Sequence, residues 1–412
     1  MRTIDVAMLA GAPRCARRIR RFMSVARIFA DHAAGSAVRP EVADLLADLY
    51  RDGIGNPNGG HAEARRSRAV LDEARATLAA ALGVESRQIT FTASASEGLA
   101  LALNSETRAK EPLLTSATEH RGARALAQRH AAAGGAVSLL PVDGSGAWVT
   151  DLELIRDVAS PGGVALLTLA SGELGTIQPL ADLLRAWRDG GGGALIMDGV
   201  QAAAAAELRF DEIGATHLVI GSAKVEGPAG IAALISAPDR RLHPLVPGGG
   251  QERGRRGGTE AVPLAAAFAH AYQLMSDERS ATQRHLTQLG EAFDAALGSP
   301  ATHGLIATGA SDLGARLPGH RSYAAEWAPG DDLVAALDHA GLAMSTGSAC
   351  ISGSREPSEA LAACGLSDAA SRGGIRISFG RTNRVDEARL AAAVVTATCA
   401  RIRSSYTAEV SR

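Results

Sequence analysis

The apolar residues of this chain come in short runs, each closed by a small or polar residue, with stretches of helical spacing between them. Gln88–Thr92, Leu113–Ser116, Ala194–Asp198, His217–Ile220 and Ile231–Ile235 read as strands, because aliphatic runs of this length bounded by turn residues suit strands better than helices. Leu99–Leu103, Ala123–Ala133 and Leu180–Trp187 read as helices between them, so strands and helices alternate as βα repeats over about residues 40–275. A long helix is predicted over Pro263–Leu297, and Gly190–Gly193 is a helix-to-strand loop. At 412 residues the chain exceeds the roughly 250–300 residues that one core supports, so two domains are expected in an α/β fold.

Two chemical features sharpen this pattern. Of 42 basic residues only Lys110 and Lys224 are lysines. Lys110 lies in a polar stretch, whereas Lys224 stands in the turn between two apolar strands, where a partly desolvated amine becomes nucleophilic and can form a Schiff base. Arginine cannot replace it there, since its guanidinium stays protonated. A stray surface lysine is the alternative. Asp198 closes a strand about two dozen residues upstream, at the end where ligands of α/β sheets sit, and a buried carboxylate there calls for a cationic partner or serves as a plain helix cap. Ala93-Ser94-Ala95-Ser96-Glu97-Gly98 opens a helix after the strand ending at Thr92, and offers either a phosphate cradle or a serine N-cap.

Nine ordered pieces decide between these readings. They are Asn56-Pro57 with His61, Thr92 to Glu97, Thr118-Glu119-His120, Glu173-Leu174-Gly175, Asp198 with Gln201, Lys224 with Gly227-Pro228, Gly248 to Gly254 with Gly258-Thr259, Gly347-Ser348-Ala349-Cys350, and Ile375-Arg376-Ile377 to Arg381. Over about residues 28–400 the chain resembles the NifS/IscS-like cysteine desulfurases, pyridoxal phosphate enzymes of the class V aminotransferase family. The resemblance implies fold type I: a large domain (40–275) around a mainly parallel seven-stranded sheet, and a smaller α/β domain that joins residues 27–39 to 276–412. Residues 1–26, with Arg17-Arg18-Ile19-Arg20-Arg21, then form an N-terminal extension, expected to be disordered or a mis-set start with Met23 as the true one, a basic arm or a targeting segment being the alternatives.

The resemblance also implies roles. Lys224 would hold the cofactor and move the substrate Cα proton, Asp198 would keep the pyridine nitrogen protonated, and His120 would stack on the ring and exchange protons with the substrate thiol. Gln201 would bond the ring oxygen, while Ser94, Ala95, Ser96 and Ser222 would hold the phosphate, with Thr259 reaching that of a neighbouring subunit. Arg376, with Asn56, would bind the carboxylate of L-cysteine. Cys350 lies among small residues in what reads as a mobile loop, and would accept the sulfur as a persulfide before passing it to an acceptor protein, for iron–sulfur assembly, thiolation or phosphorothioation. Cys364 and Cys399 lie in apolar runs and read as packing residues.

Three positions depart from the family pattern: Ala223 for histidine, Gly221 for serine and Gly172 for asparagine. They keep open a non-catalytic partner-binding homologue; a second alternative is another enzyme on the same scaffold, such as a selenocysteine lyase or class V aminotransferase, of which an aminotransferase has no need of Cys350. A net charge of −2 argues against a dedicated nucleic-acid surface. Four cysteines without a CxxC pair argue against a metal cluster and for a reducing, cytoplasmic setting, and no apolar run reaches the roughly 20 residues of a membrane span.

Overall fold

The computed structural model describes residues 27–107, 110–160, 162–347 and 356–410. Seven strands form its main sheet: β1 (Ile89–Thr92), β2 (Leu113–Ser116), β3 (Val137–Leu140), β4 (Val164–Thr168), β5 (Leu195–Asp198), β6 (His217–Gly221) and β7 (Ala232–Ser236). Their order is β1-β7-β6-β5-β4-β2-β3; β7 runs antiparallel to both neighbours and the other pairings are parallel. The mainly parallel seven-stranded sheet expected from the sequence is therefore present. Alternation of side chains feeds two cores. Leu114, Leu167, Met197, Leu218 and Ile220 enter one, and Leu113, Leu166, Ile196 and Val219 the other.

Helices cover both faces. α1 (Pro40–Arg51) and α2 (Ala62–Leu82) lie on the side of the larger core; α3 (Ala95–Glu106) and α4 (Arg121–Ala132) cover the opposite face, and α5 (Leu152–Ala159) and α6 (Leu180–Asp189) return to the first. Arg75 of α2 is buried against Glu252, whose carboxylate takes both guanidinium nitrogens (2.7 and 2.8 Å) and the Phe91 N–H (2.9 Å). This bidentate pairing compensates two buried charges and ties α2 to β1 and to the glycine-rich segment at Gly248.

α7 (Val262–Leu297) is 36 residues long, or about 54 Å at helical rise. Its first half, including Phe268, Tyr272 and Met275, packs in the larger core, while Leu289, Phe293 and Leu297 enter a separate one. That second core is built on an antiparallel sheet of β8 (Ile306–Thr308), β9 (His320–Ala324) and β10 (Gly374–Ser378), with α8 (Gly330–His339) and α9 (Val385–Val410). Ile28–Phe29 pairs in parallel with Leu342–Ala343, so the start of the described chain packs with its C-terminal part. Among the described residues no helix is long and apolar enough to cross a membrane. Residues 1–26 and Ser348–Arg355, the latter including Cys350, lie outside the described residues.

Candidate active site

The chemistry-bearing residues collect at the carboxyl ends of the strands, where open α/β sheets bind ligands. β1 leads into Ser94, which caps α3 by accepting the Glu97 N–H at 3.2 Å; β2 leads into Glu119 and His120; β5 ends in Asp198, and Lys224 closes the single 3-10 turn after β6. The strand-turn-strand setting of Lys224 is thus present, with β6 and β7 antiparallel on either side.

Asp198 is 5 % exposed and accepts the Val200 N–H at 3.0 Å. Burial pushes its pKa up, against the charges of His120 and Lys224, which favour the carboxylate. His120 stands at the mouth of the site and caps α4, its Nδ1 accepting the Gly122 N–H at 3.0 Å. The neutral ring therefore carries its proton on Nε2. Protein packed around the ring lowers its pKa; Asp198 opposes this shift and Lys224 adds to it. The three groups lie within electrostatic reach of one another.

The segment Asp31–Ala34 forms another wall, which none of the nine sequence pieces marked. Lys224 Nζ donates to the carbonyls of Ala33 (2.7 Å) and Ala34 (2.6 Å), and Gln201 Nε2 donates to Ala33 O at 2.9 Å. Arg376, 4 % exposed, donates to Asp31 Oδ1 at 2.6 Å and to Gly172 O at 3.0 Å. The residue expected to bind the substrate carboxylate is already held by a carboxylate and by backbone.

The departures have different spatial meanings. A Cβ on Gly172 would lie 2.9 Å from Gln201 Nε2, so the glycine leaves room for that amide. A Cβ on Gly221 would make ordinary contacts, 3.6 Å to Val200 and 3.9 Å to Ala95, so the backbone there leaves room for a Cβ. Ala223 is half-buried beside Lys224.

A pyridoxal phosphate fits these residues. Asp198 retains acceptor capacity that a pyridinium would use, Lys224 would supply the amine and His120 a ring face. Ser222 Oγ is fully buried without a hydrogen-bond partner among the described residues, which leaves a polar atom for a ligand to satisfy. Ser96 and the first N–H groups of α3 would receive the anion, with Ser96 close to Gly122: a Cβ on Gly122 would lie 3.2 Å from Ser96 Oγ. Ser94, already engaged as the cap, contributes through its place at the helix start. Asn56 and Thr259 lie on an exposed stretch of the surface. Asn56 is exposed, its Oδ1 accepts the Asn58 N–H at 2.9 Å, and Asn58 donates to Glu260, next to the exposed Thr259. No group of three or more metal-ligating side chains occurs among the described residues.

Sequence reasoning gave no role to Glu119. It is 3 % exposed, and neither carboxyl oxygen has a side-chain or strong hydrogen-bond partner among the described residues. Burial raises its pKa well above the usual range, the charge of Asp198 adds to this, and the Thr168 backbone and Arg124 oppose it. A carboxyl that is neutral when folded and ionised when unfolded loses stability as pH rises from its unfolded pKa, about 4.3, towards its folded one. Glu119→Gln removes that slope. Thermal midpoints measured between pH 5 and 9 are expected to shift increasingly in favour of the variant as pH rises; a constant difference means that Glu119 is ionised in the folded protein.

Residues 28–390 match the model of the class V aminotransferases. The mitochondrial cysteine desulfurase of Candida albicans is 32 % identical over 362 residues, 86 % of this chain and 73 % of that protein. Among solved structures, a NifS-like protein superposes with a TM-score of 0.82 at 25 % identity, covering 90 % of this chain and 98 % of its own. A second, SspA in complex with cysteine, gives 0.73 at 26 % identity, covering 85 % and 98 %. The family match spans most of the chain, so the chain belongs to the class V aminotransferases. Within it, the chain is one of the NifS/IscS-like cysteine desulfurases.

Proposed function

We propose that this enzyme takes sulfur from L-cysteine, releases L-alanine and holds the sulfur as a persulfide on Cys350. The observation that carries the reading is the mutual reach of Lys224, Asp198 and His120 at the strand ends, in a chain that also bears Gly347-Ser348-Ala349-Cys350. The desulfurase relatives and the cysteine bound to SspA support L-cysteine as the substrate. Lys224 and Asp198 would hold pyridoxal phosphate, which when bound would supply an electron sink for bond breaking at the amino acid.

The chain's own residues do the rest. Arg376 exchanges Asp31 for the substrate carboxylate, which its planar fork grips at two points. Lys224 Nζ moves the Cα proton, and His120 exchanges a proton with the substrate through Nε2. The Cys350 thiolate attacks the substrate sulfur; an S–S bond forms, the C–S bond breaks, and the proton lost from Cys350 is balanced by those gained in alanine. The sum, L-cysteine plus Cys350–SH giving L-alanine plus Cys350–S–SH, needs no external oxidant.

We further read the protein as a cytoplasmic homodimer that hands its sulfur to an acceptor protein. The edge carrying Thr259 and Asn56, exposed in one chain, would complete the neighbour's site. Product analysis tests the activity. With L-cysteine and a thiol reductant, alanine and sulfide are expected in equal amounts without added oxo acid. Dependence on an oxo acid acceptor would identify an aminotransferase instead.

A further inference from the structure

The turn after β4 has two working sides. Its backbone is fixed by Ser171 N–H to Thr176 O (2.9 Å) and Gly175 N–H to Ser171 O (2.9 Å). On one side Gly172 O accepts from Arg376 at 3.0 Å. On the other, the Glu173 carboxyl accepts from Ser358 Oγ, which also caps the short helix Glu359–Ala363 by accepting the Leu361 N–H at 3.2 Å. The same carboxyl presses against Gly347: a Cβ there would lie 2.6 Å from Glu173 Cγ and 2.8 Å from Oε1. Glycine at 347 is therefore a clearance requirement, since any side chain would expel Glu173. The backbone leading to Gly347 is itself joined to Arg376, through Arg376 N–H to Ser345 O at 2.7 Å and Ser345 N–H to Arg376 O at 3.2 Å.

The geometry points to Glu173 as a positioning residue for the sulfur-accepting thiol: one carboxyl fastens both flanks of the ten residues between Gly347 and Ser358, among them Cys350, to the turn that holds Arg376. The inference uses only the described flanks and rests on the reading of Cys350 given above. Arg124, Arg376 and Glu359 are the charged groups around this carboxyl; protein packed about it raises its pKa, and the Ser358 hydroxyl and the two arginines oppose that shift. Its work is steric and hydrogen-bonding, so glutamine, of the same length and with an acceptor oxygen, should replace it.

The test compares Glu173→Ala and Glu173→Gln holoenzymes. Alanine is expected to lower kcat for sulfide release by about 10- to 100-fold, the scale of a small misplacement of a reacting group, while KM and the spectral change on adding L-cysteine stay within about twofold. Glutamine is expected to restore kcat to within about threefold of the parent, and Ser358→Ala to act as alanine does but less. A parental kcat in Glu173→Ala, an equal loss of L-cysteine binding, or a glutamine variant as impaired as alanine overturns the proposal. Trypsin cleavage after Arg355 gives a second readout independent of the reaction. It is expected to be faster in Glu173→Ala and not in Glu173→Gln, and an unchanged rate overturns the fastening role. If Cys350→Ser keeps parental sulfide release, the functional reading fails, and the cleavage rates still decide what Glu173 does.

Discussion

A Lys224→Ala variant is expected to lose the visible absorbance of lysine-bound pyridoxal and to release sulfide from L-cysteine about 10³-fold more slowly, or not at all. The size follows from two tasks resting on one amine, holding the cofactor and moving the Cα proton, since loss of a positioned proton-transfer group alone costs about 10²–10⁴-fold. No other lysine can substitute. Lys110 is exposed, lies in a left-handed backbone conformation (φ 66°), and packs near Gly134 beyond the opposite end of β2. Borohydride reduction of the parent protein, followed by peptide mapping, is expected to label Lys224. A label on Lys110, or on neither lysine, rules the assignment out. Folding provides the control: the Lys224 ammonium is held by the carbonyls of Ala33 and Ala34, and an unchanged thermal midpoint separates loss of the amine from loss of the fold.

What the sequence disclosed and what it hid follow from the range of the forces involved. Five strands of the main sheet were legible because their faces are buried, which forces unbroken apolar runs such as Leu195-Ile196-Met197; β3, an edge strand with Leu139 exposed, and the buried β4 were not singled out. The polar residues ending those runs marked the site edge. β9 was not legible, as His320-Arg321-Ser322-Tyr323 has no apolar run, yet all of it is buried. Its charge is compensated from far away: Arg321 pairs with Asp294 of α7, with Nε at 2.7 Å from Oδ1, and Thr308 donates to Ser322 across the sheet. The wall at Ala33 and Ala34 works through carbonyl oxygens, which every residue has, so side-chain pattern cannot report it. Gly347 looked like a source of loop mobility, whereas its contact with Glu173, 174 positions earlier, explains it by space. Arg376 was assigned by resemblance alone, and its pairing with Asp31 is visible only in three dimensions.

Cys350→Ser is expected to abolish sulfide and alanine production, a fall on the order of 10³-fold or more, while the variant keeps its visible absorbance and its spectral response to L-cysteine. The side chain would touch only the substrate sulfur, so cofactor and substrate binding do not depend on it, and a hydroxyl at neutral pH is too weak a nucleophile to replace a thiolate. The other described cysteines cannot take over. Burial pushes the Cys399 thiol up to about 11; the Cys364 thiol also rises to about 11, through burial first and then the charges of Glu173 and Asp143. Both stay protonated at working pH. They differ in packing: Cys399 is fully buried in the second core, as its apolar run implied, whereas Cys364 is partly exposed at the end of the short helix Glu359–Ala363. Cys399→Ser is accordingly expected to lose about 1–3 kcal/mol of stability by burying a hydroxyl, Cys364→Ser less, and both to retain sulfide release. Intact-protein mass after one turnover without reductant is expected to show a gain of one sulfur in the parent and in both of these variants, and none in Cys350→Ser. Parental rates of alanine and sulfide formation by Cys350→Ser would exclude a persulfide on this residue and leave a lyase that expels sulfur directly from the amino acid.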